Sequence, residues 1–156
     1  VQLARYATTI ANSGTCFNLT LIDRVTDYEG NLIFDNQATV LNQLDNIALS
    51  TWESVHIGMR NVVKYDVAST EMINQIDIAV AGKSGTAQES DVRPNHALFI
   101  SYAPYEAPEV SVTCVIQNGY SSGNARELTG FIYAYMYDPE ELSGAQMTGS
   151  SSLDED

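Results

Sequence analysis

Positive charge is scarce in this 156-residue chain: Lys and Arg total 7 against 20 Asp and Glu, a formal net charge of −13. A surface of that sign repels phosphate backbones and anionic headgroups, so neither nucleic acid nor direct membrane contact is expected. Cysteine is scarcer still. Cys16 and Cys114 lie far apart, match no metal or redox spacing, and read as two small buried side chains, with a disulfide between them left open. No apolar run approaches the roughly 18 residues of a membrane helix, and no basic-then-apolar segment opens the chain. His56 and His96 have no third ligand spaced for zinc, so no metal and no cofactor are expected. No internal repeat is visible.

What is present suits one globular domain, since a chain of this length buries roughly two thirds of its unfolded surface. The acidic residues are unevenly spread. Asp138, Glu140, Glu141, Asp154, Glu155 and Asp156 fall in a final segment with no Lys or Arg. That segment has too few large apolar side chains to offset its ordering entropy, which predicts an acidic disordered tail over 138–156 and a folded portion over 1–137.

Periodicity sketches the folded portion. Leu3, Tyr6, Ala7, Ile10 and Ala11 form a helical stripe that Asn12-Ser13-Gly14 ends. With no capping residue ahead of it, this helix suggests upstream sequence. The alternating, β-branched run from Thr15 to Phe34 predicts one hairpin turning at Glu29-Gly30-Asn31, followed by a polar stretch to Asp45. Trp52, Val55, His56, Met59 and Val63 mark a second helix over about 48–64. After a loop at 66–74, "IDIAVAG" from Ile76 reads as a strand entering Lys83, and strands beginning at His96 and Glu109 follow. The last helix spans about 123–137, capped by Ser121, Ser122 or Asn124, with Leu128, Ile132, Tyr135 and Met136 facing inward. The nine Tyr read as packing. The order predicts α+β architecture with an antiparallel sheet flanked by helices.

One stretch carries chemistry: Val80 to Gln88, "VAGKSGTAQ". A phosphate-binding loop needs Gly five residues before the Gly of Gly-Lys-Ser and a helix starting at the Lys. Asp77 occupies the first position and Gly85 follows the triad, so that reading fails on both counts. The alternative is a Lys-Ser-Gly triad on a strand, where Lys supplies positive charge and proton transfer, the hydroxyl binds a carboxylate, and Gly leaves room for substrate.

The surroundings sharpen that alternative. "IAVAGKSGTAQ", then "RPNHALFISYAPYEAPEVSVTCVIQNG", then a final helix preceded by "YSSGNA", together resemble the C-terminal half of the transpeptidase domain of class B penicillin-binding proteins, the elongation-type branch above all. The likeness covers residues 1–137. It implies the penicillin-binding and serine β-lactamase-like fold and a peptidoglycan D,D-transpeptidase on the extracytoplasmic face of a bacterial membrane, anchored by a segment not in this chain. It also implies that Lys83 is catalytic, that Ser84, Gly85, Thr86 and Gln88 bind substrate, and that the Thr86 N–H forms part of an oxyanion hole. The implied ligands are D-Ala-D-Ala stem peptides and β-lactams, and the implied partner is the N-terminal half of the same domain.

The resemblance also exposes a gap. The family's nucleophile lies in a Ser-x-x-Lys motif, and no Ser here has Lys three residues on. The one Ser-x-Asn, Ser122-Gly123-Asn124, follows the triad where the family has it before, and reads as a helix cap. The chain alone is therefore expected to be inactive. Two further readings stay open: a non-catalytic penicillin-recognising sensor domain, and a plain structural module. Apolar surface is expected along the first helix and the triad strand.

Overall fold

The computed structural model describes residues 1–65, 71–140 and 142. Helix α1 (Gln2–Ala11) leads into β1 (Thr15–Phe17), β2 (Arg24–Thr26), β3 (Leu32–Asp35) and β4 (Val40–Gln43). Helices α2 (Leu49–Tyr65) and α3 (Glu71–Gln75) follow, then strands β5 (Ala81–Ala87), β6 (His96–Ala103) and β7 (Val110–Ile116), and finally α4 (Ser122–Tyr137).

The main sheet is antiparallel with strand order β5–β6–β7. β6 is central and buried almost throughout, and its alternate side chains serve two cores. Ala97, Phe99 and Ala103 join Val63, Ile73, Val80, Cys114, Ala125, Tyr133 and Ala134 on the α4 side. Ile100 and Tyr102 join Ala7, Ile10, Ala11, Trp52 and Met59 on the side covered by α1 and α2. The architecture is α+β, an antiparallel sheet flanked by helices, as the sequence pattern predicts.

The predicted hairpin over 15–34 forms only in its inner part. β2 pairs with β3, turning at Asp27–Asn31 with Gly30 at φ +88°, where a side chain would be strained. The Asp27 carboxylate accepts the N–H groups of Glu29 and Asn31 at 2.9 and 2.8 Å and the Asn31 amide at 2.8 Å. Those bonds, the Asn31 amide first, hold its pKa below the ordinary carboxylate value. β1 instead pairs with β4, inside the stretch expected to be polar loop. Polarity hid β4 because "VLNQ" is exposed along its whole length and needs no apolar alternation.

Two other expectations shift. The strand predicted from Ile76 begins only at Ala81, because residues 71–75, expected as loop, are helical and 76–80 carry the chain into the sheet. The inward face of α4 consists of Ala125, Arg126, Thr129, Gly130, Tyr133 and Ala134, whereas Tyr135 and Met136 are exposed, Ile132 lies at the surface and Leu128 is half-buried. At Gly130 that face must be bare because α3 packs close. A Cβ on Gly130 would meet the Met72 Cβ at 2.9 Å.

On α1 the stripe is split: Ala7, Ile10 and Ala11 are buried, but Leu3 and Tyr6 are exposed. Cys16 and Cys114 are free thiols, and burial pushes the Cys114 pKa up. Leu142 packs half-buried against the α4-side core, while the rest of the predicted tail beyond it lies outside the described residues. No helix among the described residues is long and apolar enough to cross a membrane.

Candidate functional site

The site is built on β5, which has a ladder partner on one side only among the described residues. Two bonds anchor its entry: Arg60 Nη1 of α2 donates to the Val80 carbonyl at 2.9 Å, and Tyr105 N–H donates to the Ala79 carbonyl at 2.7 Å. From there the register with β6 is unbroken, from Ala81 opposite Tyr102 to Ala87 opposite His96. Period-2 alternation puts Ala81, Lys83, Gly85 and Ala87 on the side of α1 and α2, and Gly82, Ser84 and Thr86 on the side of α4.

The triad is near the surface. Lys83 and Thr86 are exposed, Ser84 and Gly85 half-buried. Lys83 Nζ donates to the Ser84 carbonyl at 2.7 Å and lies 3.5 Å from Ser84 Oγ. This curls the ammonium along the strand beside the hydroxyl, so that a cation and hydroxyl donors converge on one short segment. Such a set suits an anionic oxygen ligand.

The two glycines of this strand differ in what they permit. A Cβ on Gly82 would lie 2.3 Å from Phe99 Cζ and 3.0 Å from the Ile100 carbonyl, so packing alone demands glycine there. At Gly85 the nearest atom, the Leu98 Cβ, is 3.6 Å away, an ordinary contact. Nothing within the described residues explains why residue 85 lacks a side chain.

Gln88 lies beyond the end of β5, and its amide donates to Asp91 Oδ1 at 2.9 Å within its own loop. The structure thus brings Lys83, Ser84, Gly85 and Thr86 together and sets Gln88 apart from them. Ser121, not Ser122 or Asn124, caps α4, accepting the Gly123 N–H at 3.2 Å, while Asn124 Nδ2 donates to the Gly119 carbonyl at 2.8 Å. Ser122-Gly123-Asn124 therefore serves the helix start. His56 Nε2 bonds the Ile10 carbonyl at 2.8 Å, tying α2 to α1, and its ring stands edge-on to Tyr102 with centroids 5.7 Å apart. Among the described residues no cluster of three or more His, Cys, Asp or Glu is placed to hold a metal.

Sequence reasoning missed Arg60 and the contacts of His96, whose Nδ1 and Nε2 are both engaged. Arg60 gave no local signal, because its target is a carbonyl. For His96 the only hint was its position at the first residue of the strand after the triad.

Comparison with known proteins identifies the fold that carries this strand. The family described as the penicillin binding protein transpeptidase domain matches residues 1–134. Peptidoglycan D,D-transpeptidase MrdA of Haemophilus influenzae is 28% identical over 86% of this chain and 23% of its own length. Among solved structures, the D,D-transpeptidase domain of a peptidoglycan glycosyltransferase from Eggerthella lenta superposes with a TM-score of 0.69 at 28% identity, over 90% of this chain and 31% of that one. Penicillin-binding protein A of M. tuberculosis, as its imipenem acyl-enzyme complex, gives 0.71 at 25% identity over 85% and 29%. The chain spans about a quarter of the length of the curated relatives it matches.

Proposed function

Because the chain belongs to the penicillin-binding protein transpeptidase domain family, we propose that residues 1–137 are the substrate-holding C-terminal half of the transpeptidase domain of a peptidoglycan D,D-transpeptidase. In this reading the Lys83 ammonium assists proton transfer at a serine supplied by the N-terminal half of the domain. Ser84 and Thr86 hydroxyls bind the terminal carboxylate of a D-Ala-D-Ala stem peptide, or the equivalent carboxylate of a β-lactam.

The Thr86 N–H serves as an oxyanion donor. Support comes from the Ser84 carbonyl, which is turned toward Lys83 Nζ. Backbone groups return to the same edge at every second residue along a strand, so Thr86 directs its N–H to that same edge. Gln88 extends the groove wall beyond the strand.

The observation that carries this reading is Gly85. Packing leaves room for a Cβ, yet the residue is glycine, on the face of Lys83 and opposite the Ser84 and Thr86 side chains, so a ligand reached by all of them lies along the edge of β5 away from β6, flanked from both faces. A ligand lying along the strand accounts for the missing side chain.

The chain alone lacks a Ser-x-x-Lys nucleophile, so acyl transfer requires the other half of the domain. The reaction belongs outside the cytoplasm, where peptidoglycan is cross-linked, with the parent protein anchored at the membrane. The test is Lys83→Ala in a complete transpeptidase domain carrying this segment. The expected result is a loss of β-lactam acylation of about 10²- to 10⁴-fold, the usual range for a lost proton-transfer group. Melting should be unchanged, because Lys83 is exposed and among the described residues its ammonium bonds only to Ser84. Wild-type acylation by the variant would rule the assignment out.

A further inference from the structure

The ladder that places Lys83 also places a residue with no assigned role. Ala87 pairs with His96, and paired residues share a face, so the His96 ring lies on the side of Lys83 and Gly85, at the far end of the strand. His96 Nδ1 accepts the Asn118 N–H at 3.0 Å, and Nε2 lies 3.0 Å from Glu89 Oε2. A nitrogen that accepts leaves the proton of a neutral imidazole on the other one, so Nε2 donates to Glu89.

These two partners belong to different segments. Glu89 sits in the loop of residues 88–95 directly after the triad strand, and Asn118 sits in the turn between β7 and α4. A second bond joins the same segments, from Tyr120 N–H to the Asn95 carbonyl at 3.0 Å. The turn itself is tightly specified: Asn118 and Tyr120 stand at φ +52° and +65°, and Asn124 holds the Gly119 carbonyl. The loop thus meets a fixed support at both ends, through His96 near its start and through Asn95 at its finish.

The order of groups along the strand says which part of a ligand reaches this clamp. With the carboxylate at Ser84 and Thr86 and the reacting carbonyl at the Thr86 N–H, the acyl substituent continues past Ala87 toward residues 88–95. We propose that His96 is a positioning residue that clamps the 88–95 loop to the β7–α4 turn and thereby shapes the wall that receives the acyl substituent of the substrate. This rests on the catalytic reading of Lys83 to Thr86 given above.

The test uses a complete transpeptidase domain carrying this segment and two ligands, benzylpenicillin and 6-aminopenicillanic acid, which lacks the acyl substituent. Loss of a hydrogen bond to a charged group corresponds to about tenfold. His96→Ala should therefore slow acylation by benzylpenicillin about tenfold and change that by 6-aminopenicillanic acid less than twofold. Glu89→Ala alters a side chain that is 62% exposed and so cannot disturb the core. It should reproduce the same selectivity with a smaller effect. Equal losses for both ligands, or no loss in either variant, would overturn the positioning role while leaving Lys83 untouched. A domain that neither ligand acylates would overturn the catalytic reading and this inference together.

Discussion

Replacing each glycine of the triad strand by alanine separates packing from function, because the same added methyl group meets opposite surroundings three residues apart. In Gly82→Ala the new Cβ falls 2.3 Å from Phe99 Cζ and 3.0 Å from the Ile100 carbonyl. Phe99 is fully buried, so its ring cannot swing into solvent. Overpacking of this kind costs about 1–3 kcal/mol, and in a domain of ordinary size each kcal/mol lowers the melting midpoint by about 2–4 °C.

Gly85→Ala adds a methyl whose nearest neighbour is 3.6 Å away, at a position without a positive φ. Its stability should hold or rise by about 0.4–1 kcal/mol through the stiffer unfolded chain. The methyl nonetheless stands where a strand-bound ligand would lie. A displacement of about 1 Å in a reacting group costs on the order of 10²-fold in rate, so acylation by labelled penicillin should fall by about that factor. The measurement is a pair of melting curves and acylation rates on the complete domain. If Gly85→Ala acylates at the wild-type rate, or melts as low as Gly82→Ala, the ligand-lane argument for residue 85 is wrong.

Four further outcomes are expected. The isolated chain incubated with labelled penicillin should carry no covalent adduct, since no Ser precedes a Lys by three positions; any stoichiometric labelling would contradict the divided-site reading. Tyr133→Phe removes the 3.0 Å bond between the buried Tyr133 and Ser101 hydroxyls and should cost about 1 kcal/mol in denaturant melts. Tyr102→Phe removes a buried hydroxyl with no hydrogen-bond partner among the described residues and should be neutral or stabilising, whereas a loss above about 1 kcal/mol would mean that another segment supplies a partner. Alkaline pH should expose the same burial: desolvation, with a smaller contribution from Tyr105, pushes the Tyr102 hydroxyl up to about 12. Below about pH 10 both folded and unfolded chains hold that proton and the contribution is complete. Between about 10 and 12 this tyrosine ionises only in the unfolded chain, which should cost about 1.4 kcal/mol per pH unit, in addition to the loss from Tyr133, whose burial also raises its hydroxyl; Tyr102→Phe should make the slope shallower by the Tyr102 share alone.

The parts of the fold that were legible in the sequence are those where one physical signal dominated. Trp52, Met59 and Val63 recur at helical spacing and are all buried in α2, and Asn31 and Gly30 announce a turn that Asp27 completes. The α4 face was misjudged because large apolar residues were weighed above small ones. The buried set there mixes Ala125, Thr129, Gly130 and Ala134 with Arg126 and Tyr133, and close contact with Met72 requires glycine at 130, a tertiary preference no single-helix periodicity contains. β4 and α3 were invisible for a related reason: one is fully exposed and the other is only five residues long, so neither leaves an apolar rhythm.

For the candidate site, Lys83 to Thr86 stood out because their chemistry is local in sequence. The His96 clamp did not, since its partners Glu89 and Asn118 lie seven residues before it and 22 after it.

The unbroken pairing of β5 with β6 bears on how chains of this kind can change length over time. Side chains alternate faces with a period of two, so inserting or deleting one residue between Ala81 and Lys83 would send the ammonium to the α4 side and bring Ser84 round in its place. The same change within residues 88–95 would leave every paired residue of the sheet where it is. Length variation is therefore expected in the loop rather than the strand, whose chemistry is protected by parity: a lone insertion ahead of Lys83 destroys it, and a compensating deletion nearby restores it.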